Sequence, residues 1–277
     1  MMSDATTPDI LMSTHPFDLA LVLEGDPSHE LAGHTSADYW NAISPFGGIT
    51  AATMLQAMLR HPQRIGEPIS LTVNFAGAIK PGPFRVRAQA VRTGRTTQHW
   101  LAQLHQGDDP EPAVTASAVF ALRRPTWSEV ETALPRHAGP EGLPRYDPPR
   151  PLPFLERYDI RYADSHPFAG GESSQTQCWI ADVPPRPVDA AAIVAWCDAF
   201  IPRIFVRRGQ PTPIATVTLS VYFHAGAADL LARPCMLGFA QARANAFQGG
   251  YHDQEGRVWA DDGRLLATTH QMVWFKE

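Results

Sequence analysis

Eight prolines fall within the 29 residues from Pro125 to Pro153 (PTWSEVETALPRHAGPEGLPRYDPPRPLP). Each proline locks φ and removes a backbone donor, so this stretch forms neither a continuous helix nor a central strand. It cuts the chain near its middle. The simplest division is an N-terminal domain at 1–124, a Pro-rich linker at 125–153 and a C-terminal domain at 154–277.

The two flanking parts carry similar patterns. In the first, FGGITAATMLQAMLRH repeats Met54, Leu55, Met58 and Leu59 at helical spacing. In the second, VDAAAIVAWCDAFIPRIF supplies a helix with Asp189 near its start and Pro202 near its end. Alternation and β-branched or aromatic enrichment predict strands after each helix: Leu71–Phe75, Phe84–Gly94, Thr96–Gly107 and Ala113–Arg124, then Leu219–Phe223, Cys235–Phe247, Gly249–Asp261 and Arg264–Lys276. A further strand is expected ahead of each helix, at Phe17–Gly25 and Gln175–Val183. One long helix with a run of antiparallel strands, twice over, is an α+β pattern.

Composition excludes several classes. There are 23 basic and 28 acidic residues, a net charge of −5, which argues against a nucleic-acid partner. No apolar run reaches the roughly 18 residues of a membrane span. The start of the chain (MMSDATTPDILMSTHPFD) lacks the basic and apolar regions of a signal peptide, so a cytoplasmic protein is expected. Cys178, Cys197 and Cys235 form neither a disulfide framework nor a CxxC pair. With no HExxH, GxGxxG or Walker pattern, no metal and no cofactor are expected.

The segments FGGITAATMLQAM, IATVTLSVYFHAG and LLATTHQMVWF resemble the acyl-CoA thioesterase II family and its thioesterase-like relatives. The resemblance covers nearly the whole chain outside the Pro-rich stretch. It implies a double hot-dog fold, two tandem domains in which an antiparallel sheet wraps around a central helix. It also implies hydrolysis of an acyl-CoA to a carboxylic acid and free CoA, through a water positioned by an Asp, a Thr and a Gln. Carried over residue by residue, these are Asp198 in AWCDAF, Thr216 in IATVTLS and Gln271 in TTHQMVW. His224 matches the family's Phe-His pair. The chain departs from the pattern at Thr218-Leu219, where well-known members carry Asp-His.

The chemistry is consistent with those residue types. Thioester hydrolysis needs a placed water, a base and stabilisation of the developing oxyanion. A carboxylate in the apolar run AAIVAWCDAFI is costly without partners, and burial raises its pKa toward that of a useful base. The Gln271 amide can accept from a water and donate to a neighbour. Gly47 and Gly48, at a helix start, are the candidates for substrate and oxyanion contact because glycine permits close approach. Without that chemistry these would be a surface Asp198, a solvent-facing Gln271 and an ordinary strand threonine at Thr216. Arg92, Arg95, Arg123, Arg124, Arg203, Arg207 and Arg208 are candidates for CoA phosphates or for plain solubility.

The first helix has no acidic residue, and Ser117-Ala118 stands near where Gln271 would map, so one site per chain is expected, in the C-terminal half. The competing class is a non-catalytic acyl- or acyl-CoA-binding protein. A hot-dog hydratase fits less well, because Asp164 and His166 are only two apart. Open sheet edges invite further pairing into a homodimer or homotetramer.

Overall fold

The computed structural model describes residues 14–137, 139–164 and 166–277. Most of the leading stretch read against a signal peptide therefore lies outside the described residues. The first half runs α1 (Pro16–Ala20), β1 (Glu24–Asp26), β2 (Glu30–His34), α2 (Gly47–Leu59), β3 (Glu67–Phe75), β4 (Pro83–Thr93), β5 (Thr97–His105) and β6 (Val114–Ala121). The second runs α3 (Pro153–Glu156), β7 (Tyr158–Tyr162), β8 (Thr176–Asp182), α4 (Ala190–Asp198), α5 (Arg203–Arg208) and β9 (Ile214–Phe223). It closes with α6 (Ala227–Ala232), β10 (Gly238–Arg243), β11 (Phe247–Gln248), β12 (Tyr251–Ala260) and β13 (Leu265–Phe275).

The strands form one antiparallel sheet in the order β1-β2-β4-β5-β6-β3-β9-β13-β12-β10-β8-β7, with β11 beside β12. Outward from the β3–β9 seam, the two halves follow the same succession. The seam pairs Ser70 with Tyr222 through to Asn74 with Thr218, and the Thr72 and Ser220 hydroxyls meet across it at 2.9 Å. Helices α2 and α4 pack on each other inside the curve of the sheet. Both are buried nearly all round, α2 from Gly48 to Leu55 and α4 from Ala191 to Cys197, which is why their sequences lack a polar stripe. Two sheets, each wrapped around one helix and joined edge to edge, make the double hot-dog.

Two expectations need correction. Phe17–Gly25 is not one strand: α1 occupies its start and β1 only its end. Pro16 sets a helical φ, and His15 Nδ1 accepts the Phe17 N–H at 3.1 Å, so the local chemistry starts a helix. The second long helix is two pieces, α4 and α5, because Pro202 has no N–H for the Asp198 carbonyl and its ring would strike it. The Pro-rich stretch between the halves is held against the sheet. Leu134 and Leu143 pack on Trp179, Phe239 and Trp259, the His137 ring stacks on Phe239 at 4.1 Å, and Trp259 Nε1 donates to the Thr132 carbonyl at 3.4 Å.

Candidate active site

Asp189 starts α4 by accepting the Ala192 N–H at 2.8 Å, and the apolar turns that follow carry the chain inward. Asp198 is the last residue of α4, so the proline-enforced stop determines where this carboxylate stands. It is mostly enclosed, and burial is the main influence on it, pushing its pKa up to about 7. The Gln271 side chain and the Gly48 backbone amide pull the other way by favouring the anion.

Asp198 lies against the start of the other half's helix. The first N–H groups of α2 have no intrahelical acceptor, and Phe46 at the cap position offers no side-chain bond. A carboxylate at this electropositive end serves in place of a cap. The approach requires glycine. A Cβ at Gly47 would stand 2.7 Å from Asp198 Oδ2, and one at Gly48 would stand 2.8 Å from the Ala195 carbonyl oxygen.

Gln271 sits mid-strand on β13 with its side chain buried against α4. Its Nε2 donates to Asp198 Oδ1 at 2.9 Å and to the Cys197 carbonyl at 3.1 Å. Its Oε1 accepts from Gln254 Nε2 at 3.2 Å. Both N–H donors are therefore committed within the protein, and the carbonyl oxygen keeps one lone pair.

Thr216 is half-buried on β9, opposite Val273, beyond a bulge at Val217. Among the described residues its hydroxyl joins neither Asp198 nor Gln271. The structure thus brings Asp198, Gln271, Gly47 and Gly48 into direct contact and puts Thr216 on the neighbouring strand. Leu219, where the family resemblance would call for an ionisable residue, is buried opposite Gln271.

Other candidates are accounted for differently. Arg203 is completely buried and reaches no surface where a phosphate would lie. Arg123 pairs with Glu67 and donates to the Phe223 carbonyl, and Arg208 pairs with Glu277. Cys197 is buried and its thiol is pushed up, mainly by that burial, so it is not a nucleophile at neutral pH. The Asp164 carboxylate accepts the Gln177 N–H at 2.9 Å.

Sequence reasoning missed Gln254. It lies in GGYHDQEGRVWAD, where polar residues surround it and nothing marks it as buried. Only the β12–β13 register, which sets Gln254 directly opposite Gln271, brings it to the site.

Comparison with known proteins follows the same outline. The profile of the acyl-CoA thioesterase N-terminal domain matches residues 36–121, and that of the C-terminal domain matches residues 132–275. No curated protein sequence matches the chain. A conserved hot-dog protein of unknown function from Alicyclobacillus acidocaldarius is 44% identical, with a TM-score of 0.91 over 96% of this chain and 99% of that one. A putative thioesterase II from Thermobifida fusca is 18% identical with a TM-score of 0.82, over 96% of this chain and 100% of that one. An acyl-CoA thioesterase II from Mycobacterium marinum is 19% identical with a TM-score of 0.74, over 94% and 98%. No helix of the described residues is long and apolar enough to cross a membrane.

Proposed function

The chain belongs to the acyl-CoA thioesterase family, and from that premise we propose that it hydrolyses an acyl-CoA to a carboxylic acid and free CoA, with Asp198 as general base. The observation that carries this reading is the Asp198 carboxylate itself. It is enclosed, raised to about 7, held at Oδ1 by Gln271, and faces the glycines of α2 at Oδ2. A carboxylate tuned near the working pH is a better base than one at its ordinary value.

In this mechanism Asp198 Oδ2 accepts a proton from a water while the water oxygen attacks the thioester carbonyl carbon. The Thr216 hydroxyl, on the neighbouring strand, holds the same water. Charge develops on the former carbonyl oxygen, and the first turn of α2, where Phe46 offers no side-chain cap, supplies backbone donors for it. Gly48 acts on Asp198 and leaves the Gly47 N–H for the oxyanion. Collapse of the tetrahedral species breaks the C–S bond, and the proton returns from Asp198 to the departing thiolate. Gln271 does not need to touch the water: its donors hold the base.

Free-thiol release from acyl-CoAs of short, medium, long and aromatic acyl groups, on wild type and Asp198→Asn, tests this reading. Turnover that falls about a hundredfold or more in the variant assigns the base. Turnover that survives the substitution discards Asp198, and ligand binding without any release supports the non-catalytic alternative.

A further inference from the structure

Arg203 is an unusual residue to find with no exposed surface. Among the described residues it forms no ion pair, and neutral acceptors satisfy it instead. Nη1 donates to Thr176 Oγ1 at 2.7 Å, to the Ser174 carbonyl at 3.0 Å and to the Ala242 carbonyl at 3.1 Å. Nε donates to the Ile201 carbonyl at 2.9 Å and to Gln254 Oε1 at 3.0 Å.

The last contact has a directional consequence. A guanidinium has donors and no acceptor, so the amide oxygen of Gln254 must face it. The Gln254 NH2 is then turned the other way, where it meets Gln271 Oε1 at 3.2 Å. That in turn aims the Gln271 NH2 at Asp198 Oδ1, 2.9 Å away. Each of the three links donates in the direction of the carboxylate.

We propose that Gln254, anchored by Arg203, is a positioning residue for Asp198: the relay holds Gln271 so that N–H, and never C=O, faces the carboxylate. The inference rests on the reading of Asp198 as the base. The relay favours the anion, the form able to take a proton from water. Burial alone would leave this carboxyl protonated over more of the neutral range. Among the described residues, the titratable groups facing Asp198 are Cys197 on its own helix and Tyr158 on β7. Burial raises both, so they stay neutral between about pH 5 and 9 and leave the relay as the variable influence.

Gln254→Glu reverses the polarity at one point with almost no change in shape. The introduced carboxylate still accepts from Arg203 but has no N–H for Gln271 Oε1. Gln271 then turns its NH2 toward that carboxylate and its carbonyl toward Asp198, which must hold a proton to donate to it. Gln254→Met removes the relay without adding a charge, which separates orientation from field.

The experiment uses the full chain with 13C-labelled aspartate carboxyls, the Asp198 signal being assigned with Asp198→Asn. Thiol release from an acyl-CoA is measured in parallel as a function of pH. The Asp198 midpoint is expected to rise by about one unit or more in Gln254→Glu and by less in Gln254→Met. Below the midpoint kcat/KM then falls about tenfold in Gln254→Glu, through kcat with KM held. Thermal unfolding shows that the variants are folded, and Gln254→Met decides the matter if Gln254→Glu is not. Midpoints unchanged from wild type in the folded variants overturn the relay. If wild type releases no thiol, the thioesterase reading falls, and the carboxyl titration still decides the relay.

Discussion

The two halves can be compared position by position from the middle of the β3–β9 ladder, where Thr72 faces Ser220. One step away on each side stand Leu71 and Leu219. The next strands place Ala118 opposite Leu71 and Gln271 opposite Leu219. One strand further, Trp100 pairs with Ala118 and Gln254 pairs with Gln271. In the N-terminal half the space is filled by the Trp100 ring, whose Nε1 donates to Gln98 Oε1 at 3.0 Å and whose edge meets His61 at 4.8 Å. In the C-terminal half the same ladder positions hold two amides in a chain from a guanidinium to a carboxylate. One scaffold therefore supports either a packed aromatic or a polar network. Each buried amide is tolerable only because both of its ends are paired.

Four measurements probe that contrast. Trp100→Ala removes the large ring from the N-terminal core and is expected to cost about 3–5 kcal/mol of stability. Denaturant unfolding measures this, and the pH profile of turnover should stay where it is. Asp198→Asn acts on the opposite half and is expected to lower turnover about a hundredfold, or roughly 2.7 kcal/mol of barrier, as read by thiol release. Gly47→Ala puts a Cβ against Asp198 Oδ2 and is expected to lower kcat about tenfold by displacing the carboxylate. A kinetic comparison with wild type checks it, and unchanged kcat would show that the contact is slack.

The smallest effect is in stability against pH. Asp198 is raised in the folded state, so the native form binds its proton more tightly than the unfolded chain does. The stability this contributes is fully present below the unfolded value near 4 and is lost as pH rises through about 7. Wild type should therefore fall by about 1 kcal/mol relative to Asp198→Asn between pH 4 and 8, partial solvent access reducing the full linkage value. Asp182, also raised to about 7 by burial, has the same sign in both proteins and cancels in the difference. On the proposed function turnover is expected to run oppositely, rising with pH through about 7 as the base form of Asp198 fills, which a pH profile of thiol release checks.

The Pro-rich stretch adds a second asymmetry. It lies over Trp179, Phe239 and Trp259 on the outer side of the C-terminal sheet. In the N-terminal half Val91 and Leu101 remain exposed.

Much of this was legible in the residues. Alternation over RLLATTHQMVWFK predicts β13, and apolar spacing over GGITAATMLQAML predicts α2, because burial against a sheet imposes period two on strands and a small apolar surface on an enclosed helix. The division into two similar units followed from the prolines and the repeated order of helix and strands. Asp198 and Gln271 stood out through resemblance, and nothing local to them said that they touch. Residue 198 meets residue 271 only because Pro202 ends a helix at that carboxylate and the sheet curls β13 beneath it. Pairing across 73 positions has no local signal.

What the sequence determined by itself, then, was which segments bury which faces, since periodicity and proline act within a few residues. What the tertiary structure decided was register: which polar residue faces which across the β12–β13 ladder, and which helix end faces Asp198. A shift of one residue would turn Gln254 and Gln271 outward. The direction of the hydrogen bonds that reach Asp198 follows from that register and from one buried guanidinium that can only donate.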